Sequence, residues 1–431
     1  MSAAPRRRTA IAAGGAAVGT AAVGIAAVGT AAAASAAEAD CAASPATTDL
    51  AAEIIGWQRV HGRHTLPWQR SVAAGTALRD PYRVWLSEVM LQQTQVAAVI
   101  PYFEAFVAAF PDVAALAAAP ADRVMALWSG LGYYSRARNL HAAARCVVER
   151  HGGAFPATAE ALAELPGVGR STAAAIAVFG FGARAAILDG NVKRVFARVF
   201  AVEGFPGDTA VARRLWQHSE AELPGPESSA SERIAYTQGL MDLGATVCSR
   251  GRPACRRCPL AGRCAALRLD AVARFPAPRP RRVLPVRSVD LLLQIEGDRV
   301  LLEQRPPAGI WGGLWSLPEL APASASTPAS ASASASASAP RSAAATVAAG
   351  MPPRSGLVCH GRFGHVFTHF RMDATVWRGD AAAVPAAAAA AGVREPRPTR
   401  WLALAEAAGA PLPQPIKRLL TGLAAGDLAS P

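Results

Sequence analysis

The sequence predicts a mainly α-helical domain followed by a smaller domain that contains strands. Three observations predict it. Leu165-Pro-Gly-Val-Gly-Arg170 is a glycine-rich turn between two helical patterns. Cys248, Cys255, Cys258 and Cys264 crowd into one loop, with gaps of six, two and five residues. Beyond a Pro/Arg-rich stretch, two apolar runs at 289–295 and 299–304 flank Gly297-Asp298, which signals a hairpin. A chain of 431 residues has room for two or three domains, and its net charge of +13 favours a polyanionic partner. Nearly all the basic residues are arginine, so base composition also contributes to that charge.

The hairpin comes first because it suggests a ligand. Ala159 to Leu165 reads as a short helix, which Pro166 stops. Gly167 and Gly169 permit backbone angles that other residues avoid. Ser171 opens a second, apolar helix, whose first N–H groups lack intrahelical partners and form an anion site with the helix dipole. No side chain in the turn names a base, so the expected ligand is sugar-phosphate. An ordinary connection between two helices fits the turn alone equally well.

Asp189 precedes apolar residues at Val192, Val195, Phe196, Val199 and Phe200, a helical spacing. Aspartate is a favoured helix N-cap, and capping is compatible with chemistry by the same carboxylate.

Four clustered thiolates suit a soft metal, as zinc or as an iron–sulfur cluster. Structural zinc commonly uses two separated Cys-x-x-Cys pairs, so the spacing favours iron–sulfur. Arg250, Arg252, Arg256, Arg257 and Arg263 are interleaved with the ligands, which predicts a basic knob against phosphate. Cys41, Cys146 and Cys359 are scattered and read as inert thiols.

The pattern from Tyr82 to about Ala98 predicts one helix, with Trp85, Val89, Met90 and Val96 packed inward. Glu88, Gln92 and Gln95 then fall at i, i+4 and i+7 and form a polar stripe on one face. A carboxylate on such a helix is either solvated or held in a pocket.

The hairpin, the downstream Asp189 and the cysteine loop together resemble the helix-hairpin-helix DNA glycosylases that carry a [4Fe–4S] cluster. Among these the chain is most similar to the adenine glycosylases of the MutY family. The likeness covers roughly residues 50 to 269 and, more weakly, 283 to 423. It includes Leu66-Pro-Trp-Gln69, the run from Asp80 to Thr94, Gly130-Leu-Gly-Tyr-Tyr-Ser-Arg136 and Met241-Asp-Leu-Gly244. The resemblance implies a helix-hairpin-helix glycosylase domain with a cluster loop, then an α+β Nudix-like domain.

It also implies roles. Glu88 would protonate the departing adenine, helped by partial burial that keeps it protonated. Asp189 would stabilise the oxocarbenium-like sugar or bond to it transiently, as in glycoside hydrolysis with two carboxylates. The base must first leave the stack, at a cost of roughly a few kcal/mol that is smallest at a mispair. Tyr133 resembles the wedge residue and Gln93 a second filler of the emptied stack. Thr94, Gly167, Gly169, Ser171 and Asn191 would meet DNA, while Arg63, Trp68 and Gln238 would line the adenine pocket. Phe367, Thr368 and His369 resemble a Phe-Ser-His loop that inspects 8-oxoguanine, with a methyl added at Thr368. Cys248, Cys255, Cys258 and Cys264 would hold the [4Fe–4S] cluster. Relatives that also cut the strand carry lysine where Ser171 stands, and serine forms no Schiff base. The chain's only lysines are Lys193 and Lys417, so the resemblance implies a monofunctional enzyme with at most weak lyase activity through Lys193.

The expected organisation is a leader at 1–45, a glycosylase domain at 46–272 with its cluster loop at 248–264, a linker at 273–284 and a Nudix-like domain at 285–425. The Ala/Ser tract at 321–349 is expected to be a disordered insertion. It stands where a Nudix hydrolase needs a glutamate-rich helix for magnesium, so hydrolase activity is not expected. The leader's Arg6-Arg-Arg8 and uncharged Ala/Gly stretch resemble a twin-arginine export signal or a weak membrane span, against which a disordered leader or a start codon placed too far upstream is the favoured expectation. Its five-residue repeat suits neither helix nor strand, and a DNA substrate argues for the cytoplasm. The expected partner is double-stranded DNA holding A:8-oxoguanine or A:G mispairs, bound by a monomer without membrane contact. The rival readings are an endonuclease III-like glycosylase/lyase, a non-catalytic DNA-binding protein and an exported metalloprotein.

Overall fold

The structure, a computed structural model, describes residues 49–280, 283–307, 309–320, 356–379 and 397–426. The leader and the Ala/Ser tract lie outside the described residues. Twelve helices build the first part: α1 (Leu50–His61), α2 (Pro81–Leu91), α3 (Val96–Ala109), α4 (Val113–Ala118), α5 (Ala121–Trp128), α6 (Ser135–His151), α7 (Ala159–Ala163), α8 (Arg170–Phe181), α9 (Gly190–Val199), α10 (Thr209–Ala221), α11 (Ala230–Thr246) and α12 (Ala265–Arg268).

Half of them start on a side-chain cap. Asp49 accepts from the Ala51 amide at 3.0 Å and Asp80 from Tyr82 at 2.9 Å, with Pro81 at the first helical position. Ser229 and Glu232 form a reciprocal capping box on α11. The core is aromatic at its centre. Phe106 packs edge-on against Phe110 and Trp128, and Trp85 meets the Phe155 ring at 5.3 Å. Trp85, Trp128, Phe103, Phe106 and Phe196 have at most 1% of their surface exposed, each removing roughly 150–250 Å² from water.

The single helix expected from Tyr82 to Ala98 is broken. Helix α2 ends at Leu91, Gln93 adopts a left-handed backbone (φ +59°), and α3 starts at Val96. The cause is Arg136, buried on α6. Its Nη1 donates to the carbonyls of Val89, Met90 and Gln92 at 3.0, 2.6 and 2.7 Å, taking up groups that a continuing helix would use. Gln92 and Gln95 therefore share no helix face with Glu88.

The hairpin forms as expected between α7 and α8. Leu165 and Val168 are buried beneath the turn, while Gly167, Gly169 and Arg170 face solvent. Gly167 sits at φ +77°, where a Cβ would lie 2.7 Å from the Asn139 Cβ. Arg170 stacks on the Trp216 ring at 3.9 Å and pairs with Glu220.

The second part is α+β. One sheet has the order β5-β1-β7-β6, from β1 (Val286–Leu293), β5 (Glu319–Leu320), β6 (Val358–Val366) and β7 (Arg371–Arg378). Strands β1 and β7 run parallel, with Leu291 opposite Val376. In the other sheet β3 (Arg299–Gln304) pairs antiparallel with β2 (Ile295–Glu296), β4 (Trp315–Ser316) and β8 (Thr399–Ala403). Helix α13 (Gln414–Ala424) buries Ile416, Leu419 and Leu420. The Gly297-Asp298 turn joins only the short β2 to β3; β1 lies in the other sheet. Leu291, Leu292 and Leu293 are all buried, as for a strand covered on both faces, and this explains the weak alternation of the sequence there. Both parts belong to one unit that begins at Thr48. The start of the expected linker is packed, with Phe275 buried against Ala266 and Ala271.

Candidate active site

A cavity of about 850 Å³ opens between α2, the hairpin helix α8, the start of α9 and α11. Its lining includes Glu88, Asp189, Ser171, Asn191, Arg63, Trp68 and Gln238, so it brings together both expected carboxylates and the three expected base-pocket residues. Gln92, Gln93, Thr94 and Gln95 reach the same cavity from the α2–α3 joint instead of from a helical stripe.

Glu88 leaves the last turns of α2 and faces the cavity. Burial is the main cause that pushes its carboxyl up to about 8, the nearby Asp189 carboxylate adds to it, and Arg79 opposes it. A glutamic acid with that value is mostly protonated at neutral pH and can donate a proton.

Asp189 caps α9. Its Oδ1 accepts from the Asn191 and Val192 amides at 3.0 and 2.7 Å, and its Oδ2 accepts from Asn191 Nδ2 at 3.2 Å. Burial pushes its pKa up, while these three donors and Arg194 push against that. The donors leave the carboxylate fixed in one orientation. Ser171 contributes from the hairpin: its hydroxyl accepts from the Leu188 amide at 2.9 Å, tying α8 to the residue before Asp189. Asn191, expected to meet DNA, has its carbonyl oxygen engaged by Arg194 at 2.9 Å and its amide by Asp189.

The wall opposite is a buried polar network that the sequence did not reveal. Arg63 donates through its backbone and Nε to Asp242 at 2.8 and 2.7 Å. Gln238 donates to Asp242 at 2.9 Å and accepts from Arg79 Nη1 at 3.0 Å. Arg79 also lies 4.2 Å over the Phe179 ring, and burial pulls its pKa down to about 10, so it stays charged. Asp242 belongs to the Met241-Asp-Leu-Gly244 run, and Gly244 explains its last member. A Cβ there would meet the Asn191 Cβ at 2.5 Å, so glycine lets α11 approach the start of α9.

Tyr133 and Gln93 are two non-glycine residues in the left-handed region, at φ +48° and +59°, and both are exposed. Such conformations are strained and cluster at functional sites. One buried side chain supports both. Besides the α2 carbonyls, Arg136 donates to the Leu131 and Gly132 carbonyls at 3.4 and 3.2 Å and to Thr94 Oγ1 at 3.1 Å, and it lies 5.5 Å from the Tyr133 ring centroid. Thr94 is thus tied into this joint.

A second cleft, about 570 Å³, runs between the Gly130–Arg138 segment and the strand-bearing part. It holds Tyr133 on one side and Phe367, Thr368 and His369 on the other. Phe367 stacks on Phe370 at 4.6 Å and meets the His365 ring at 4.6 Å, while the Thr368 hydroxyl and His369 Nδ1 lie 3.1 Å apart at the exposed tip.

The four cysteines line one apolar pocket beneath α9 and α11, together with Val195, Val199 and Leu260. Among the described residues no three His, Cys, Asp or Glu side chains converge on one ion-sized point. Four thiols around one apolar pocket form a soft donor set of the kind that holds an iron–sulfur cluster or zinc. Burial, then the neighbouring sulfurs, pushes Cys258 up to about 12, and a bound cationic group would offset that repulsion. The buried Arg198 donates to Cys248 Sγ at 3.2 Å. Of the interleaved arginines, Arg250, Arg252, Arg256 and Arg257 are exposed, but Arg263 is held by Glu53 at 3.0 Å, so the basic knob is smaller than the sequence suggested.

Comparison with known proteins agrees with this geometry. Residues 86–220 match the HhH-GPD superfamily of base excision DNA repair proteins, and residues 291–422 match the NUDIX domain. The chain is 34% identical to the adenine DNA glycosylase of Mus musculus over 420 residues, covering 86% of this chain and 77% of the relative. It is 35% identical to that of Buchnera aphidicola subsp. Baizongia pistaciae, covering 62% and 72%, and 37% identical to that of Homo sapiens, covering 63% and 58%. With two carboxylates facing one cavity beside a glycine-rich helical hairpin, and with relatives of that name matching across both parts, the chain belongs to the adenine DNA glycosylase family.

Proposed function

We propose that the chain hydrolyses the N-glycosidic bond of adenine opposite 8-oxoguanine or guanine in double-stranded DNA, as a monofunctional enzyme. The observation that carries this reading is the pair Glu88 and Asp189 on one cavity, one pushed up to about 8 and the other fixed by three donors. The hairpin turn at Gly167 and Gly169 holds the backbone, Tyr133 wedges into the stack, and Gln93 fills the gap. The adenine enters the cavity past Trp68, whose ring is fixed edge-on by Phe103 at 5.4 Å, and meets the Arg63–Asp242–Gln238 wall. Glu88 gives its proton to the departing base. The developing positive charge on the sugar sits beside Asp189, and water completes the hydrolysis.

Ser171 supports the absence of a lyase step: its hydroxyl is committed to Leu188 and has no amine chemistry. Phe367, Thr368 and His369 would read the opposing base from the second cleft. Cys248, Cys255, Cys258 and Cys264 would hold a [4Fe–4S] cluster, whose contribution is to organise the loop that presents Arg250, Arg252, Arg256 and Arg257 to phosphate. We infer a monomer working on cytoplasmic DNA. The deciding assay measures adenine release from duplexes with A opposite 8-oxoguanine, G, C or T. Release from the first two, leaving an abasic site that breaks only after alkali, is expected. No release from either, or strand cleavage without added base, refutes the assignment.

A further inference from the structure

The loop that carries Tyr133 is bonded to the C-terminal domain at several points. Ser129, which ends α5, is 8% exposed and uses all its polar groups. Its carbonyl accepts from Tyr102 Oη at 3.2 Å, and its hydroxyl donates to the Leu412 carbonyl at 3.1 Å. The remaining lone pair of that hydroxyl accepts from Lys417 Nζ, on α13, at 3.2 Å. Tyr134 Oη bridges the same site, 3.4 Å from the Gly130 amide and 3.5 Å from the Leu412 carbonyl. Arg138, just beyond the loop, donates to the Gly312 carbonyl of the C-terminal domain. Tyr133 is therefore the strained, exposed apex of a loop whose base is clamped between Arg136 on one side and α13 on the other.

Lys417 is one of only two lysines in a chain that uses arginine almost everywhere. An ammonium suits this place because it is a compact donor on a slim stem, whereas a guanidinium presents a wide planar fork. We propose that Lys417 is a positioning residue for base extrusion. Through Ser129 it fixes the loop bearing Tyr133, so the C-terminal domain sets the extrusion step in addition to reading the opposing base. This inference rests on the wedge role given to Tyr133 above.

The test uses the full-length protein and a duplex with 2-aminopurine in place of the target adenine, so that fluorescence reports extrusion directly. Lys417→Met keeps the stem and removes the donor. Losing one positioned hydrogen bond is expected to slow extrusion, and single-turnover adenine release with it, by about tenfold. DNA affinity should stay within about twofold, because Lys417 lies behind the loop and not on the duplex. Ser129→Ala removes the acceptor together with the bond to the Leu412 carbonyl and is expected to slow extrusion at least as much as Lys417→Met, while Lys417→Arg should restore part of the rate. The double variant Lys417→Met/Tyr133→Ala is expected to be no slower than Tyr133→Ala alone, because Lys417 acts through that residue. Extrusion at the wild-type rate in Lys417→Met, with Tyr133→Ala slow, overturns this inference and leaves the wedge reading standing. Multiplicative losses in the double variant overturn it as well. Unchanged extrusion in Tyr133→Ala overturns the wedge reading and this inference with it.

Discussion

The sharpest consequence of the site is the pH dependence of Glu88. With a carboxyl near pH 8, Glu88, the proposed general acid, is about nine-tenths protonated at pH 7 and about one-tenth at pH 9. Single-turnover adenine release should hold steady through neutral pH, fall through pH 8, and drop about tenfold per pH unit above it. Glu88→Gln should lose most of the activity at every pH, because an amide donates no proton to the leaving base. The same shift has a stability consequence of definite sign. The folded state holds the proton more tightly than the unfolded chain, so Glu88 costs nothing below pH 4.5 and increasingly destabilises the fold between 4.5 and about 8. At about 1.4 kcal/mol per pH unit, and discounted for the partial exposure of the residue, the cost at pH 9 is on the order of 2–3 kcal/mol. Glu88→Gln should remove it, so the variant should resist urea better than the wild type at pH 9 and no better at pH 4.5. A release rate that is flat from pH 7 to 9.5, or urea midpoints of wild type and variant that stay parallel from pH 4.5 to 9, would refute the reasoning.

Other positions yield equally concrete expectations. Asp189→Asn keeps an N-cap acceptor for the Asn191 and Val192 amides, so the fold and DNA binding should survive. Excision should fall by at least roughly 10³-fold as the sugar loses its counter-charge, and wild-type-like excision would contradict the assigned role. Arg136→Met strands the carbonyls of Val89, Met90 and Gln92 and frees Gly132, so it should destabilise the helical domain by about 2–4 kcal/mol in urea titration and slow extrusion as Gln93 and Tyr133 loosen together. With the proposed cluster in place, the wild type should bind about four iron atoms per chain, and Cys258→Ser should lower that number and weaken binding to undamaged duplex in low salt, which iron analysis and a salt titration will show.

What the sequence made legible was local. The hairpin needs only Pro166, Gly167 and Gly169 in order. The Asp189 cap needs only the apolar spacing that follows it, and the cysteine loop is confined to seventeen positions, 248–264. Each can be read because the residues that make it are chain neighbours. The break after α2 could not be read that way, since Arg136 ends the helix from 44 residues downstream of Gln92 and no pattern within 82–98 records it. The Asp242 network is more distant still, joining Arg63 across 179 residues, and Arg79 reaches Gln238 across 159. One signal was available: Asp242 is a charged residue set between Leu240-Met241 and Leu243, the setting in which a charge is paired or functional. The short first strand of the Gly297-Asp298 hairpin has a similar origin. The turn was real, but Leu291-Leu-Leu293 is buried on both faces and was claimed by a different sheet.

These long-range ties link the proposed catalytic carboxylate to side chains outside the cavity wall. Helix α9 is capped by Asp189 and carries Arg194 about one turn later. Arg194 Nη2 holds Asn191 Oδ1 at 2.9 Å and the Gly244 carbonyl at 2.6 Å, while its Nε holds the Cys248 carbonyl at 2.7 Å. One more turn places Arg198 on Cys248 Sγ and on the Ser249 carbonyl at 2.8 Å. The orientation of the Asp189 carboxylate is set by Asn191, Asn191 is set by Arg194, and Arg194 is set by the backbone of the cysteine loop. A short helix with one cap and two inward arginines thus couples the geometry of a sulfur-lined pocket to that of a carboxylate, and the coupling runs through hydrogen bonds with fixed donors. Arginine is required at both positions for the same reason. Each must satisfy acceptors on two different segments at once, which a planar fork with five N–H groups can do and a single ammonium cannot.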